Sequence, residues 1–250
     1  MSGFTTLKLG YWNIRGLAQP IRFVLEHLAI PYEEVLFRQA GASAAIPFDK
    51  SCWFDVKDTL GLPFPNLPYL FHGDVRISQS QAILRYVCKL DPDSNLLGAN
   101  AAEGAEIDQI IAEMYDCKGK MTGLQYGHGI EGAAVSFLNG SGYGDLQPML
   151  HRFSAVLGSR PWFVGTSLSA ADFVMYEFIS CACVYFDAMV RSESSESSSG
   201  EAEKDLVLRG VPNLKSFKDN FEALPNIRNY LTSDRFKDVS AWNNQHAKFR

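Results

Sequence analysis

The sequence predicts a two-part fold: an α/β domain of βαβ-α-ββα order, then an all-helical domain. Three observations carry this. The β-rich runs Leu7–Trp12, Tyr32–Phe37, Tyr69–Phe71 and Val75–Ile77 all precede Leu90. The first two are separated by a helical pattern, and strand–helix–strand implies a parallel pair with a crossover. After Asp91–Gly98 (DPDSNLLG), whose Pro and Asp/Asn/Ser punctuation reads as a linker, the strand patterns stop and 3.6-residue periodicity takes over. The predicted division is residues 1–90, a linker over 91–98 and a helical domain over 99–250.

Taken in order, Leu7–Trp12 alternates well enough for a first strand, with Gly10 allowing a close approach. Pro20 suits the first turn of a helix, whose core face is Leu17, Ile21, Val24, Leu25 and Leu28. Pro31 closes it and Tyr32–Phe37 is the second strand. Gly41–Pro47 is an Ala/Gly-rich loop before a short helix around Ser51–Leu60. There Trp53 and Lys57 fall at i, i+4, placing an indole N–H and an ammonium on one side. His72-Gly73-Asp74 is a hairpin turn. Ile83, Tyr86, Val87 and Leu90 then form one helix face, with Ser78, Gln79 and Ser80 where a cap belongs. A helix start has unpaired N–H groups and partial positive charge, so it can hold a carboxylate. Pro68, just before the third strand, is a candidate for a cis bond.

In the second part, Ile107, Ile110, Ile111, Met114, Lys118 and Met121 trace the seam of a long helix. Residues 119–144 are glycine-rich and read mostly as irregular chain, and a helix follows over Asp145–Leu157. Ser169-Ala-Ala-Asp172 resembles a capping box, and the helix after it is apolar nearly all round through Val184, as a buried centre requires. Arg191–Asp205 is a Ser/Glu tract too poor in apolar residues to offset its ordering entropy, which predicts a disordered insert over 191–205. Helices near Asn213–Phe221 and Pro225–Leu231 complete the domain, and Trp242 falls in an irregular tail.

Composition excludes several classes. The net charge of -5 argues against general binding of nucleic acid or acidic membranes. No apolar run approaches ~20 residues, so no membrane span is expected, and the N-terminal stretch lacks the pattern of a secretory signal. Five cysteines without a Cys-x-x-Cys pair, and histidines without His-x-x-x-His spacing, support neither a disulfide framework nor a metal site.

Five stretches in this order and spacing resemble the cytosolic glutathione transferases, closest to the mu class: GYWNIRGLAQPIR (Gly10–Arg22), LGLPFPNLPYL (Leu60–Leu70), QSQAILRY (Gln79–Tyr86), RPWFVG (Arg160–Gly165) and SAADFVMYE (Ser169–Glu177). The resemblance implies a thioredoxin-like first domain that holds glutathione, a helical second domain, and attack of the glutathione thiolate on small, largely apolar electrophiles. It implies a cytoplasmic homodimer with glutathione as co-substrate, no other cofactor and no metal. Tyr11 matches the catalytic tyrosine. Gln79 and Ser80 match the residues holding the γ-glutamyl carboxylate. Leu67 with Pro68 matches the backbone partner of the cysteinyl segment, and Asn66 a further contact. Trp53 and Lys57 match the pair at the glycine end, and Asp116 the acid reaching the amine bound in the other subunit. Trp12 and Leu17 fall beside glutathione in this pattern, and Ile14 and Tyr126 at the co-substrate pocket. Lys50 stands where the mu pattern has arginine, which loses a bidentate fork, and the Gly-rich stretch is longer than the pattern. The residues leave open a non-catalytic binder of glutathione or apolar ligands. A thioredoxin-type redox protein would need a cysteine near Tyr11, and residues 7–20 contain none.

Overall fold

The computed structural model describes residues 6–39, 49–127, 146–193 and 205–241, and the side chains at 123–127, 146 and 188–193 are not among those described. The described residues form two compact units. One runs to Asn95 and takes in the chain again from Leu224, and the other runs Leu96–Ala223. The fold is a thioredoxin-like first domain followed by helices.

In the first unit, β1 (Leu7–Trp12), α1 (Gln19–His27) and β2 (Tyr32–Phe37) make the expected parallel crossover, with Leu7 opposite Tyr32 and Trp12 opposite Phe37. β3 (Tyr69–His72) runs antiparallel to β1, and β4 (Val75–Ser78) antiparallel to β3, giving the order β2-β1-β3-β4. The hairpin loop is shorter than the sequence suggested: His72 pairs with Val75, leaving Gly73 and Asp74 as the turn. Gly73 has φ 59° at the first loop position, where a type II′ turn takes glycine. α3 (Ser80–Cys88) follows directly. Ile21, Val24 and Leu25 on α1 and Ile83, Leu84 and Val87 on α3 lose all solvent contact, at about 1.5–3 kcal/mol each.

The short helix of this unit differs from expectation. α2 covers only Ser51–Phe54, and Lys57 begins a separate 3-10 turn, Lys57–Thr59. Trp53 and Lys57 therefore do not share a helix face. Trp53 is buried in an aromatic bed, 5.2 Å from the Phe37 ring centroid and stacked 6.1 Å from Tyr69.

In the second unit, α4 (Ala101–Gly127) runs on through part of the glycine-rich stretch that was expected to be irregular. Its buried seam is Ile107, Ile110, Ile111, Met114, Cys117 and Met121, so Cys117 and not Lys118 takes the inner position. Each glycine costs the helix about 1 kcal/mol relative to alanine, and burial along this seam outweighs that. After α5 (Leu146–Leu157), α6 (Ala170–Glu193) is the buried centre, extending beyond Val184. Asp172 caps it: Oδ1 accepts from the Phe163 N–H at 2.8 Å, and Oδ2 from the Ser169 N–H and hydroxyl at 2.7 and 2.8 Å. Cys181 and Cys183 are both buried, as packing residues. α7 (Pro212–Ala223) completes the unit. Most of the Ser/Glu tract and of the glycine-rich stretch, together with Trp242, lies outside the described residues.

α8 (Pro225–Thr232) and a short α9 (Asp234–Lys237) pack in the first unit. The Asn226 side-chain amide donates to the His27 carbonyl at 2.9 Å, and Phe23 and Tyr230 meet edge to face at 5.9 Å.

Candidate active site

Register and topology bring three predicted pieces to one end of the sheet. Tyr11 is the penultimate residue of β1. Gly10 pairs with Tyr69, so the antiparallel register continues with Tyr11 level with Pro68. Tyr69 in turn pairs with Ser78, after which come Gln79 and the first residue of α3, Ser80. Tyr11, the cis Leu67–Pro68 bond and the start of α3 therefore share that end. A cavity of about 570 Å³ lined by Thr6, Leu7, Pro31, His72 and Leu90 lies by the opposite end of β1 and belongs to none of these residues.

The Tyr11 side chain is buried and folds back over its own loop. Its hydroxyl oxygen accepts the Leu17 N–H at 3.0 Å. Gly16 makes room for this. It has φ 45°, and a Cβ there would sit 2.6 Å from the Tyr11 oxygen. A glycine just ahead of a helix is the sequence signal for this close approach. Gly10 has a parallel use, since a Cβ there would fall 2.2 Å from the Tyr69 ring. Trp12 is half-buried, edge-on to Phe37 at 6.3 Å, and so joins the same aromatic bed as Trp53.

At the helix start, Gln79 is exposed, with φ 73° and ψ 108°, and supplies no side-chain cap to α3. A non-glycine residue in that region costs about 1–3 kcal/mol and persists only where its surroundings impose it. The Ser78 hydroxyl donates to the Phe64 carbonyl at 2.6 Å, tying the 64–67 loop to the end of β4. Asn66 Oδ1 accepts the Leu67 N–H at 2.9 Å, so the backbone donor beside the cis bond is engaged by its neighbour.

Comparison with known proteins shows the family. Residues 7–89 match the family described as Glutathione S-transferase, N-terminal domain, and residues 144–234 match Glutathione S-transferase, C-terminal domain. The sequence is 34% identical over 245 residues to Glutathione S-transferase Mu 1 of Macaca fascicularis, covering 96% of this chain and 99% of that one. The chain belongs to the glutathione S-transferase family. It is 36% identical to Glutathione S-transferase Mu 2 of Pongo abelii over 91% of each chain. Its fold is similar to the crystal structure of the glutathione S-transferase Blo t 8, with TM-score 0.76 and 26% identity over 97% of this chain and 99% of that one.

The remaining residues expected at a glutathione transferase site are placed as follows. Lys50 is half-buried ahead of α2, and its carbonyl accepts from the Trp53 and Phe54 N–H groups. Lys57 holds its ammonium 3.8 Å from Asp58, with about a third of its side chain exposed (31%), and 5.8 Å from the Phe54 ring centroid. Between the two lysines, the exposed Cys52 has its thiol pushed up by burial first and by nearby carboxylates, so it carries little thiolate at neutral pH. Leu17 and Ile14 are half-buried in the loop after β1. Asp116 is exposed on α4, in the other unit. Tyr126 lies in the last turn of α4, but its side chain is outside the described residues. Among the described residues, no three His, Cys, Asp or Glu side chains group as a metal site, and no helix is long and apolar enough to cross a membrane.

Proposed function

We propose that this glutathione transferase joins the thiol sulfur of glutathione to small, largely apolar electrophiles, with Tyr11 as the group that holds the sulfur ionised. The observation that carries the proposal is the Leu17 N–H donating to the Tyr11 oxygen at the end of the sheet that also bears Pro68, Gln79 and Ser80. A phenol of ordinary pKa about 10 keeps its proton at neutral pH and can donate it to a thiolate. An oxygen that already accepts a hydrogen bond polarises its own O–H, which strengthens that donation.

The size of the effect sets the division of labour. A thiol of pKa about 8.5 is roughly 3% ionised at pH 7, and lowering it by two pH units raises that to roughly 75%. Nucleophilicity falls with pKa at a slope of about 0.4–0.5, which returns roughly eightfold and leaves a net gain of about threefold. Most of the acceleration must then come from holding the two reactants together. In this reading Gln79, Ser80 and the start of α3 take the γ-glutamyl carboxylate, and Leu67 takes the cysteinyl backbone once Asn66 releases its N–H. Lys50, Trp53 and Lys57 take the glycine end. Trp12, Leu17, Ile14 and Tyr126 line the sulfur and co-substrate side.

The assembly proposed is a cytoplasmic homodimer in which Asp116 reaches the amine of glutathione held by the partner subunit, without metal or further cofactor. The rings of Phe64 and Phe54, 73% and 55% exposed, support a surface of the first unit that meets a second copy. Steady-state conjugation of glutathione to an activated aryl halide tests the proposal. Wild type should conjugate well above the uncatalysed rate, and Tyr11→Phe should lose most of that at neutral pH with glutathione still retained. Retention without conjugation in wild type would make the chain a binder. Tyr11→Phe running at the parental rate would remove the hydroxyl from the mechanism.

A further inference from the structure

Residues 13–17, which carry the partner of Tyr11, are held from β2, α1 and the C-terminal segment. The Asn13 N–H donates to the Phe37 carbonyl at 3.1 Å, and the Arg15 N–H to the Ser240 carbonyl at 2.8 Å. Ile14 and Ser240 form an isolated parallel bridge, so the C-terminal segment runs alongside the loop. A second set of bonds comes from Arg22, which has no exposed surface. Its Nη1 donates to the carbonyls of Ile14 and Arg15 at 3.0 and 3.4 Å and to Gln19 Oε1 at 3.1 Å, while Nε donates to Glu34. Gln19, equally buried, donates from Nε2 to the Tyr230 hydroxyl at 3.3 Å. Phe236 packs on Tyr230 at 5.5 Å, and the Arg15 guanidinium lies 5.2 Å from the Phe236 ring centroid.

We propose that the C-terminal segment 225–241 is a strut for the Tyr11 loop, with Arg22 and Tyr230 as positioning residues for the transfer reaction. The inference rests on the role of Tyr11 given above. Both residues act through the loop: Arg22 bonds the carbonyls at 14 and 15, and Tyr230 holds Gln19, which in turn accepts from Arg22, and together they set the direction of the Leu17 N–H onto the phenol oxygen. A hydrogen bond weakens steeply with misalignment, and a shift of about 1 Å in a reacting group can cost about a hundredfold in rate. A buried Arg–Glu pair stabilises a fold little better than well-packed apolar side chains. A geometric role explains the Arg22–Glu34 pair better than stability does. The loop also gains bonds from Arg22 that an apolar residue could not supply. The charged groups packed around this network are Arg15, Arg22 and Glu26, Glu34 on β2 and Arg235 on α9, whose Nη2 lies 2.8 Å from Glu26.

The test is conjugation to an activated aryl halide across pH, with the KM for glutathione and the thermal midpoint, for wild type, Tyr230→Phe, Arg22→Gln, Arg22→Lys and Tyr11→Phe. At neutral pH kcat/KM should fall about twofold in Tyr230→Phe and about threefold in Arg22→Gln, no further than in Tyr11→Phe, with KM for glutathione within about twofold of wild type. The rise of the pH profile should move to higher pH, and Arg22→Lys should restore part of the loss. In a Tyr11→Phe background, Arg22→Gln should leave the profile where Tyr11→Phe put it. A uniform loss at every pH, with the profile unmoved, would reduce Arg22 and Tyr230 to structural residues and overturn the proposal. So would unchanged rates in both while Tyr11→Phe is impaired. An unimpaired Tyr11→Phe would instead remove the Tyr11 role, and the strut with it. Tyr230→Phe keeps the ring packing and so carries the test if Arg22→Gln does not fold.

Discussion

Replacing Asp172 by alanine should destabilise the protein by about 4 kcal/mol. The figure follows from what its carboxylate holds. Asp172 has no exposed surface, and it accepts the backbone N–H groups of Phe163 and Ser169 as well as the Ser169 hydroxyl. Alanine leaves two buried N–H donors without an acceptor at about 1–3 kcal/mol each, and the serine hydroxyl can turn to another partner. In a chain of this size that is a fall of about 10 °C in thermal midpoint, measured by calorimetry. Asp172→Asn should lose less, since it keeps one acceptor but turns an amide N–H₂ toward a donor. The pH dependence gives a second arm. Burial pushes the Asp172 carboxyl up from 3.8 to about 6, against the hydrogen bonds from Phe163 and Ser169 that lower it. Between those values the folded state holds more protons than the unfolded one, so the stability this group contributes falls as pH rises from about 4 to 6 and is level above. The gap between wild type and Asp172→Asn should therefore be wider at pH 4 than at pH 7. A gap that widens toward pH 7, or a loss under about 1 kcal/mol in the alanine variant, would refute this account of the cap.

Gly16→Ala should lose about 1–2 kcal/mol of stability from its positive φ and also fall toward Tyr11→Phe in conjugation, because the new Cβ meets the hydroxyl. Gly61→Ala is the control, with φ 65° and nothing within 4 Å: it should show the strain alone, and equal activity losses in both would mean the clash is irrelevant. Lys57→Ala should weaken glutathione binding about threefold, the modest amount suited to a part-exposed charge, and flatten the salt dependence; calorimetric titration at two ionic strengths reads both. Phe64→Ser should shift a dimer toward monomer in sedimentation velocity, and a monomeric wild type would remove the proposed assembly.

Which parts of this were legible in the sequence follows from where the information lies. β1, β2 and the hairpin carry their own signals, namely alternation and a Gly-Asp turn, and the Pro68 cis bond was marked by its place before a strand. The end of α2 is different. Nothing between Trp53 and Lys57 breaks a helix by residue type, yet α2 stops at Phe54, and the rings that Trp53 packs on come from two distant strands. The opposite error occurred at Gly119, where glycine content argued for irregular chain and burial at Cys117 and Met121 kept the helix. Periodicity correctly found a helix at Pro225–Leu231 but is silent on its partner. It says which face is buried and not which unit buries it, so the return of α8 and α9 to the first unit could not be read.

The candidate site shows the same limit at finer scale. Residue types and order marked Tyr11, Pro68, Gln79 and Ser80 as candidates, because each belongs to a local pattern. Their common position at one end of the sheet follows from strand register, which the sequence only implies. The two glycines in this region make the point physically. At Gly10 the missing side chain leaves space for the Tyr69 ring, on which Trp53 stacks with an interplanar angle of 19°. At Gly16 it leaves space for the Tyr11 hydroxyl. In both cases a tyrosine ring occupies what would have been a Cβ, so backbone atoms form one wall against the rings of Tyr69 and Tyr11. The proposed glutathione site gains from such fixed walls, because rigid donors need no reordering when the ligand arrives.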